Sequence, residues 1–534
     1  MSILSVKNLT LKTEDKTLID SISFEIKKGE IFSLVGESGS GKSLTSLAIM
    51  RLLPNAIRIS GGDILLEKES LFALRESQMQ KIRGKSIAMI FQEPMSALNP
   101  VMSIGEQVAE VIRFHLNLKS DEIKSKVISL FDEVGIKEPH QRYSWYPHQL
   151  SGGQKQRVMI AIALACEPKL LIADEPTTAL DVTIQAQVLA LLKDIQQKRE
   201  LSILFITHDM GVVAQMANRV AVMRYGKIVE ENSIDEFFIN PKHPYTKQLL
   251  QDINIQKRDN SKETKALLEV ESLKVYFPIK KGLFQRIVGY TKGVDGVSFK
   301  IHEGKTLALV GESGSGKSTI GKAILRLIDI TNGAILFNGV DIAKLSQKEL
   351  MPYRKEIQIV FQDPYSALNP RMSIGEIIKE GMVTLNIAPK DKKLQDEMVK
   401  ELLLKVGLER EHFYRYPHEF SGGQRQRIGI ARALAVKPRL IICDEPTSAL
   451  DVSVRSQVLK LLKRLQKEEN LSYLFITHDL SIVPMIANSV AVMKDGKIVE
   501  QGLVEEVMQN PQKDYTKKLL SSAPKLPQSI IAHE

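Results

Sequence analysis

Gly36-Glu37-Ser38-Gly39-Ser40-Gly41-Lys42-Ser43 is the stretch that decides the fold, and it lies between an apolar run at 31–35 and a helical pattern. A glycine-rich loop in that context is typical of a phosphate-binding loop. Its glycines let backbone N–H groups converge on phosphate oxygens, and the start of the following helix adds partial positive charge. We therefore predict that Lys42 reaches the β- and γ-phosphates of a nucleotide, that the Ser43 hydroxyl binds Mg²⁺, and that Leu44 completes the nucleotide-binding segment.

The same loop recurs in the second half of the chain as Gly311-Glu312-Ser313-Gly314-Ser315-Gly316-Lys317-Ser318, followed by Thr319. Further motifs recur in the same order and at nearly the same spacing. Two copies of one sequence pattern therefore make up almost the whole chain of 534 residues. A repeat unit of half the chain predicts a duplicated domain rather than a solenoid. The predicted organisation is a first domain at 1–250, a polar linker at 251–265 and a second domain at 266–534.

Short apolar runs alternate with helical patterns inside each copy, which predicts an α/β fold with a largely parallel sheet. Two of the predicted buried strands are 170–173 and 203–207, with counterparts at 440–443 and 474–477. The pair Asp495-Gly496 between two apolar runs predicts a β-hairpin.

An acidic pair ends one of these strands in each copy, Asp174-Glu175 and Asp444-Glu445. In a protein with a phosphate loop, an aspartate at a strand end is suited to hold Mg²⁺ through a water. The adjacent Glu175 and Glu445 are the predicted general bases that polarise the attacking water.

A repeated Thr-His-Asp segment places His208 and His478 after another predicted strand. These histidines are predicted to contact the γ-phosphate, and Gln92 and Gln362 to bind Mg²⁺ and sense the γ-phosphate. A single histidine would favour a structural role, but the repetition of Thr-His-Asp in both copies favours the functional one. A single glutamine would fit an ordinary loop position equally well.

A second predicted anion-binding helix start is Ser151-Gly152-Gly153-Gln154, repeated as Ser421-Gly422-Gly423-Gln424. Serine and two glycines expose backbone donors ahead of an Arg/Lys-rich helix. Alone, the pattern is weak, because Ser-Gly-Gly is common in loops.

Taken in order, the phosphate loop, glutamine, Ser-Gly-Gly-Gln, Asp-Glu, Ala-Leu-Asp and histidine resemble the ATP-binding cassette (ABC) ATPases over nearly the whole chain, twice. That resemblance implies a parallel core with an antiparallel β subdomain and a helical subdomain in each cassette. It also implies ATP with Mg²⁺, each ATP lying between the phosphate loop of one cassette and the Ser-Gly-Gly-Gln signature of the other. Asp181 and Asp451 would lie across that interface.

The resemblance further implies an aromatic residue that stacks on adenine from the end of the first strand. Tyr276 and Phe277 fit this place in the second copy. Lys12 and Thr13 stand opposite them in the first copy, so the two sites are expected to hold adenine differently.

Segments 91–100, 361–370 and 240–250, and the residues around Asp514-Tyr515-Thr516, are similar to oligopeptide, dipeptide and nickel importer ATPases. The fusion of two cassettes most resembles peptide importer ATPases of the microcin C type. This implies a transport ATPase with two transmembrane permease subunits and a periplasmic or lipid-anchored substrate-binding protein as partners, at the cytoplasmic face of the bacterial inner membrane. A tandem-cassette ATPase acting on the ribosome is the alternative, although such factors have a long helical linker.

The composition is that of an ordinary globular protein, with 43% hydrophobic and 25% charged residues and a net charge of +10. No apolar run approaches the roughly 18–20 residues of a membrane-spanning helix. The basic surplus is spread along the chain, and no nucleic-acid partner is expected. Residues 280–292 mix basic and apolar side chains that could touch a membrane or form a solvated hairpin. Cys166 and Cys443 are predicted to be small core residues.

Overall fold

The computed structural model describes residues 2–92, 97–177, 180–251, 265–282, 284–448 and 450–524. These residues fall into two compact units that divide between residues 254 and 255, with Pro524 grouped with the first unit. All of the predicted linker except its two end residues lies outside the described residues. The motif residues 93–96, 178–179 and 449 also lie outside them.

In the described part of the first unit, ten strands form two sheets. They are β1 (Ser2–Lys12), β2 (Thr17–Lys27), β3 (Ile31–Gly36), β4 (Arg58–Leu66), β5 (Glu69–Ser70), β6 (Ile87–Ile90), β7 (Leu170–Asp174), β8 (Ser202–Ile206), β9 (Arg219–Arg224) and β10 (Lys227–Ser233). The central sheet has the order β10-β9-β3-β8-β7-β6 and is parallel except for the pair β9 and β10. Strands of a parallel sheet are covered on both faces, which explains why β7 and β8 are apolar and buried.

The smaller sheet of the first unit is antiparallel, with the order β2-β1-β4-β5. Its inner face packs on the central sheet around the phosphate-loop helix, in a shared apolar cluster that includes Leu4, Phe24, Ile49 and Ile172.

Helices cover the other faces of the first unit and form a separate helical layer around residues 104–164. The helices are Lys42–Ile49, Glu76–Ile82, Ile104–His115, Ser120–Glu133, Pro139–Arg142, Gly152–Leu164, Val182–Arg199, Met210–Met216, Ile234–Ile239 and Pro244–Gln251, with a 3₁₀ turn at Pro147–Gln149.

The second unit repeats both sheets with strands β11 (Ala266–Lys281), β12 (Arg286–His302), β13 (Thr306–Gly311), β14 (Asn332–Phe337), β15 (Val340–Asp341), β16 (Ile357–Val360), β17 (Leu440–Asp444), β18 (Ser472–Thr477), β19 (Ser489–Lys494) and β20 (Lys497–Leu503). Their orders are β16-β17-β18-β13-β19-β20 and β12-β11-β14-β15. The predicted hairpin at Asp495-Gly496 joins β19 to β20, with both turn residues at positive φ.

The helices of the second unit follow the same plan. They are Lys317–Ile324, Gln347–Glu356, Pro364–Ala367, Ile374–Thr384, Lys392–Lys405, Gly422–Leu434, Val452–Glu469, Val483–Ile486, Val504–Gln509 and Asp514–Ser522, with 3₁₀ turns at Arg410–Tyr414, Pro417–Glu419 and Leu480–Ile482. The α/β prediction, with a parallel core, an antiparallel sheet and a helical layer in each copy, is confirmed.

One hairpin differs clearly between the units. The strands β1 and β2 pair out to Lys12 and Thr17, whereas β11 and β12 continue to Lys281 and Arg286. The hairpin of the second unit is therefore longer than that of the first.

Both cysteines are buried free thiols, as predicted. Among the described residues, no helix combines the length and the apolar character needed to cross a membrane.

Candidate nucleotide-binding sites

The first phosphate loop runs from the end of β3 to the helix Lys42–Ile49. The Lys42 side chain is buried, and its ammonium group donates to the carbonyl oxygens of Gly36 at 2.8 Å and Glu37 at 2.9 Å. The charge is thereby fixed inside the loop at a helix start, where an anion is stabilised.

Gly36 is required by the close approach of β9. Its φ is +149°, and a β-carbon there would stand 2.2 Å from the carbonyl oxygen of Met223. Gly311 repeats this in the second unit, where the corresponding distance to the Met493 oxygen is 2.3 Å. Any side chain at either position would push the loop off its sheet.

Asp174 at the end of β7 is joined to the first turn of the loop helix. Its Oδ1 accepts from the Ser43 hydroxyl at 3.1 Å and its Oδ2 from the Ser46 hydroxyl at 3.4 Å. Burial raises the pKa of Asp174 to about 6, against the lowering effect of the Ser43 hydrogen bond. A serine hydroxyl beside carboxylate oxygens is a hard oxygen donor set of the kind that Mg²⁺ takes together with waters.

Glu175 lies one residue further on, at the meeting point of three elements. Its φ is +48°, and its N–H donates to the Ile206 oxygen at 2.9 Å. Its Oε2 accepts from the Gln92 amide at 3.0 Å, and its Oε1 lies 3.0 Å from Nδ1 of His208. The predicted base, glutamine and histidine are therefore in direct contact, although Gln92 and Glu175 are 83 residues apart.

The second unit repeats this geometry closely. Lys317 donates to the oxygens of Gly311 and Glu312, both at 2.8 Å. The Ser318 hydroxyl donates to Asp444 at 2.8 Å, and burial raises the pKa of that aspartate.

Around Glu445 the contacts also match those of the first unit. Gln362 donates to its Oε2 at 2.8 Å, and Nδ1 of His478 lies 3.1 Å from its Oε1. Burial works against the charge of Glu445, but the hydrogen bond and charge of His478 lower its pKa below the usual value. Burial likewise opposes the charge of His478, but Glu445 raises its pKa. Glu445 is thus held as a carboxylate, the form that can accept a proton from water.

Each signature segment caps a helix. The Ser151 hydroxyl accepts from the Gln154 N–H at 3.4 Å, and the Gln154 side chain accepts from the Ser151 N–H at 3.0 Å. Ser421 and Gln424 form the same capping box.

The two signature glycines have different surroundings. A β-carbon on Gly153 would stand 2.6 Å from Cγ2 of Ile184, and one on Gly423 would stand 2.2 Å from Cγ1 of Val454. At Gly152 the nearest atom of the described residues would be 3.8 Å away, on Leu180. Helix packing therefore accounts for the second glycine but not for the first.

Asp181 and Asp451 both act as helix N-caps. Asp181 accepts from the Ile184 N–H at 3.0 Å and starts the helix Val182–Arg199, and Asp451 accepts from the Val454 N–H at 3.0 Å. Within its own unit each aspartate thus has a structural role beyond the interface role implied by resemblance.

Tyr276 and Phe277, the two residues predicted to stack on adenine in the second unit, have different neighbours. The Tyr276 hydroxyl donates to Asp295, and the Lys292 ammonium lies 5.4 Å from the Tyr276 ring centre. A β-carbon on Gly293 would stand 2.8 Å from the Phe277 ring and 3.5 Å from the Thr319 methyl group, and Phe277 is 42% exposed. Phe277 is therefore the aromatic residue at the phosphate-loop helix, whereas Tyr276 is engaged within its own sheet. In the first unit, Lys12 pairs with Thr17 at the hairpin end.

Two residues that contact these loops were not among the predicted site residues. The Glu37 N–H donates to the Tyr245 hydroxyl oxygen at 3.3 Å, and the Glu312 N–H donates to that of Tyr515 at 3.4 Å. Both tyrosines belong to segments recognised as importer-like but given no role. Their recurrence at matching places in the two copies was the available signal.

The tyrosine segments are themselves held in place by a carboxylate. Glu230 on β10 accepts from the N–H groups of Lys242 at 2.8 Å and His243 at 2.9 Å. Glu500 accepts from Gln512 and Lys513 in the same way.

Both units thus carry the parts of an ATP-hydrolysing cassette. The ABC transporter family matches residues 19–178 and 294–448, and the oligopeptide/dipeptide transporter C-terminal region matches residues 229–273 and 499–532. The chain belongs to the ABC transporter family as a protein with two ATPase cassettes.

Individual relatives agree with this assignment. The chain is 48% identical to the peptidoglycan transport ATP-binding protein YejF of Agrobacterium fabrum, over 98% of this chain and 96% of the relative. It is 46% identical to the glutathione import ATP-binding protein GsiA of Salmonella typhimurium, over 98% of this chain and 89% of the relative. It is also 46% identical to an ABC transporter ATP-binding protein YejF of Escherichia coli, over 97% of this chain and 99% of the relative. These relatives do not support the ribosome alternative.

Among solved structures, cbiO1 from Clostridium perfringens, part of the ABC transporter complex cbiONQ, is 32% identical. The match covers 46% of this chain and 91% of that one, with a TM-score of 0.40.

Proposed function

We propose that the protein binds two MgATP and uses their hydrolysis to drive import of peptides or peptide-like compounds through a separate membrane permease. The observation that carries this is the oligopeptide/dipeptide C-terminal region, which matches once in each copy. Its tyrosines, Tyr245 and Tyr515, contact the phosphate loops. The relatives named for glutathione and peptidoglycan act on compounds that contain peptide bonds.

In each site the serine of the phosphate loop and the aspartate beside it would hold Mg²⁺, with Gln92 or Gln362 as a further oxygen donor. The ion would neutralise phosphate charge during transfer. Lys42 and Lys317, already fixed at the helix starts, would contact the phosphates.

Glu175 and Glu445 would act as general bases. Each carboxylate is oriented from two sides, by a glutamine amide and by a histidine ring. A carboxylate held in this way can take the proton of an attacking water without first reorganising.

We also propose that each signature serves the ATP bound to the other cassette, with Asp181 and Asp451 at the same junction. The crowding at Gly153 but not at Gly152 supports this, because no packing partner within the described part of the chain requires a glycine at position 152. Phe277 would stack on adenine in the second site.

The partners would be two transmembrane permease subunits and a periplasmic or lipid-anchored substrate-binding protein. The protein would then work at the cytoplasmic face of the bacterial inner membrane.

The test is ATPase activity of the chain reconstituted with the permeases encoded nearby and with binding proteins loaded with candidate peptides. Stimulation by peptide-loaded binding protein is the expected result. Absence of stimulation by every peptide would contradict the peptide assignment, while basal hydrolysis would still identify the ATPase.

A further inference from the structure

The extended hairpin of the second unit is a strongly basic and apolar surface. We define the basic hairpin as residues 278–282 and 284–292, the ends of β11 and β12 beyond Phe277. It carries Lys280, Lys281, Arg286 and Lys292 and no acidic residue. Among the described residues, only Lys292 of these four forms an ion pair, with Asp295 at 3.3 Å.

Large apolar side chains of the basic hairpin are turned to solvent. Phe284 is 83% exposed, Val288 58%, Tyr290 56% and Ile287 52%. Such a concentration of exposed apolar side chains at one tip is unusual for a surface that faces water only.

The placement of the charges is costly for an isolated hairpin. Lys281 and Arg286 are directly opposite each other across the two strands, and Lys280 is adjacent. Like charges on directly opposite residues destabilise a strand pair. An anionic partner at the tip would remove this repulsion, and at a lipid surface the exposed rings would leave water for the acyl boundary beneath the headgroups.

From these observations we infer that the basic hairpin binds the headgroups of anionic lipids. The inference extends the proposed function, which places the protein at a membrane, but it requires no permease. A basic and aromatic element of this kind lies in the interface plane and does not span the bilayer.

The first unit supplies a matched control. Its shorter hairpin carries Lys12, Glu14, Asp15 and Lys16, whose charges cancel. The triple variant K7Q/K12Q/K16Q removes the same number of positive charges as K280Q/K281Q/R286Q, from the corresponding hairpin of the other copy.

The experiment is co-sedimentation of the full chain with vesicles of phosphatidylglycerol and phosphatidylcholine, compared with vesicles of phosphatidylcholine alone. Each basic residue near an anionic surface is worth a factor of about five in binding, so K280Q/K281Q/R286Q is expected to lower the partition coefficient on anionic vesicles by about a hundredfold. The control triple is expected to lower it less than about threefold. Binding of the unchanged protein should weaken as salt rises.

A second measurement reports the position of the tip. Both native cysteines are buried, so a solvent-sensitive dye can be attached selectively to F284C. A blue shift of its emission is expected on anionic vesicles and not on neutral ones.

Three results would overturn the inference. They are equal losses in the two triple variants, equal binding to anionic and neutral vesicles, and an unshifted dye on bound protein. If the protein binds neither kind of vesicle but does bind, in a separate assay, vesicles that contain the permease, the hairpin would instead be a protein contact. Because the vesicle assay contains no permease, peptide or ATP, none of the three results bears on the transport function.

Discussion

The hydroxyl oxygen of Tyr245 accepts a hydrogen bond of 3.3 Å from the N–H of Glu37, the second residue of the first phosphate loop. The Arg224 guanidinium lies 4.4 Å from the centre of the same ring, and the Tyr245 side chain is buried. The C-terminal segment of each cassette therefore supports the loop that is expected to bind the nucleotide.

We expect Tyr245→Phe combined with Tyr515→Phe to weaken ATP binding about fivefold, because each loop loses an acceptor worth about 1 kcal/mol while its aromatic ring remains. Equilibrium binding of a fluorescent ATP analogue measures this, and Tyr225→Phe, on an exposed ring, is the control. Unchanged affinity in the double variant would show that the loop does not depend on these hydroxyls.

Glu175→Gln combined with Glu445→Gln should keep ATP bound and slow hydrolysis roughly 10²–10⁴-fold, since a positioned general base is lost. Single-turnover phosphate release separates this from binding. The exposed Glu200→Gln serves as the control. Near-normal turnover in the double variant would remove these glutamates from the role of base.

Asp174 makes the stability of the first cassette depend on pH. Its folded pKa of about 6 lies above the usual 3.8, so its contribution is fully present below about pH 4 and is lost as pH rises through about 6. In the presence of EDTA, the free energy of unfolding of the Asp174→Asn variant should therefore rise, relative to that of the unchanged chain, by up to about 3 kcal/mol between pH 4 and pH 8. Denaturant unfolding at several pH values measures this. A constant difference across that range would contradict the raised pKa.

Gly152 and Gly153 offer a test of the signature. Gly153→Ala should destabilise the first cassette by about 1–3 kcal/mol through the clash with Ile184. Gly152→Ala should leave thermal unfolding unchanged but reduce ATP hydrolysis, if that helix start approaches phosphate. Loss of stability in both variants would indicate a packing role for both glycines.

Phe277→Ala should weaken ATP binding at the second site about 5- to 10-fold, because an aromatic stacking surface is removed. Tyr276→Phe, which loses only the contact with Asp295, should change the affinity little. A larger loss of affinity in Tyr276→Phe than in Phe277→Ala would show that Tyr276, and not Phe277, contacts the adenine.

The phosphate loops, the Asp-Glu pairs and the parallel strands could be predicted from the sequence, because glycine spacing and apolar runs are local signals. The contacts of Glu175 with Gln92 and His208 depend on three separate elements, and only the repetition of the motifs hinted at them. Tyr245 could not be assigned a role, because its contact with Glu37 spans 208 residues. The N-cap role of Asp181 could have been predicted from the sequence, because its partner Ile184 is only three residues away. The resemblance suggested an interface role for Asp181, and the N-cap role was therefore not considered.

The glutamine and histidine contacts of the base are both 3.0 Å in the first half, and they are 2.8 Å and 3.1 Å in the second. The hairpins beside the phosphate loops, by contrast, differ in length. The two copies therefore differ in a peripheral hairpin, while the contacts of the base are nearly the same in both. Either half can supply the reference geometry against which an engineered change in the other is measured, within one molecule and under identical conditions.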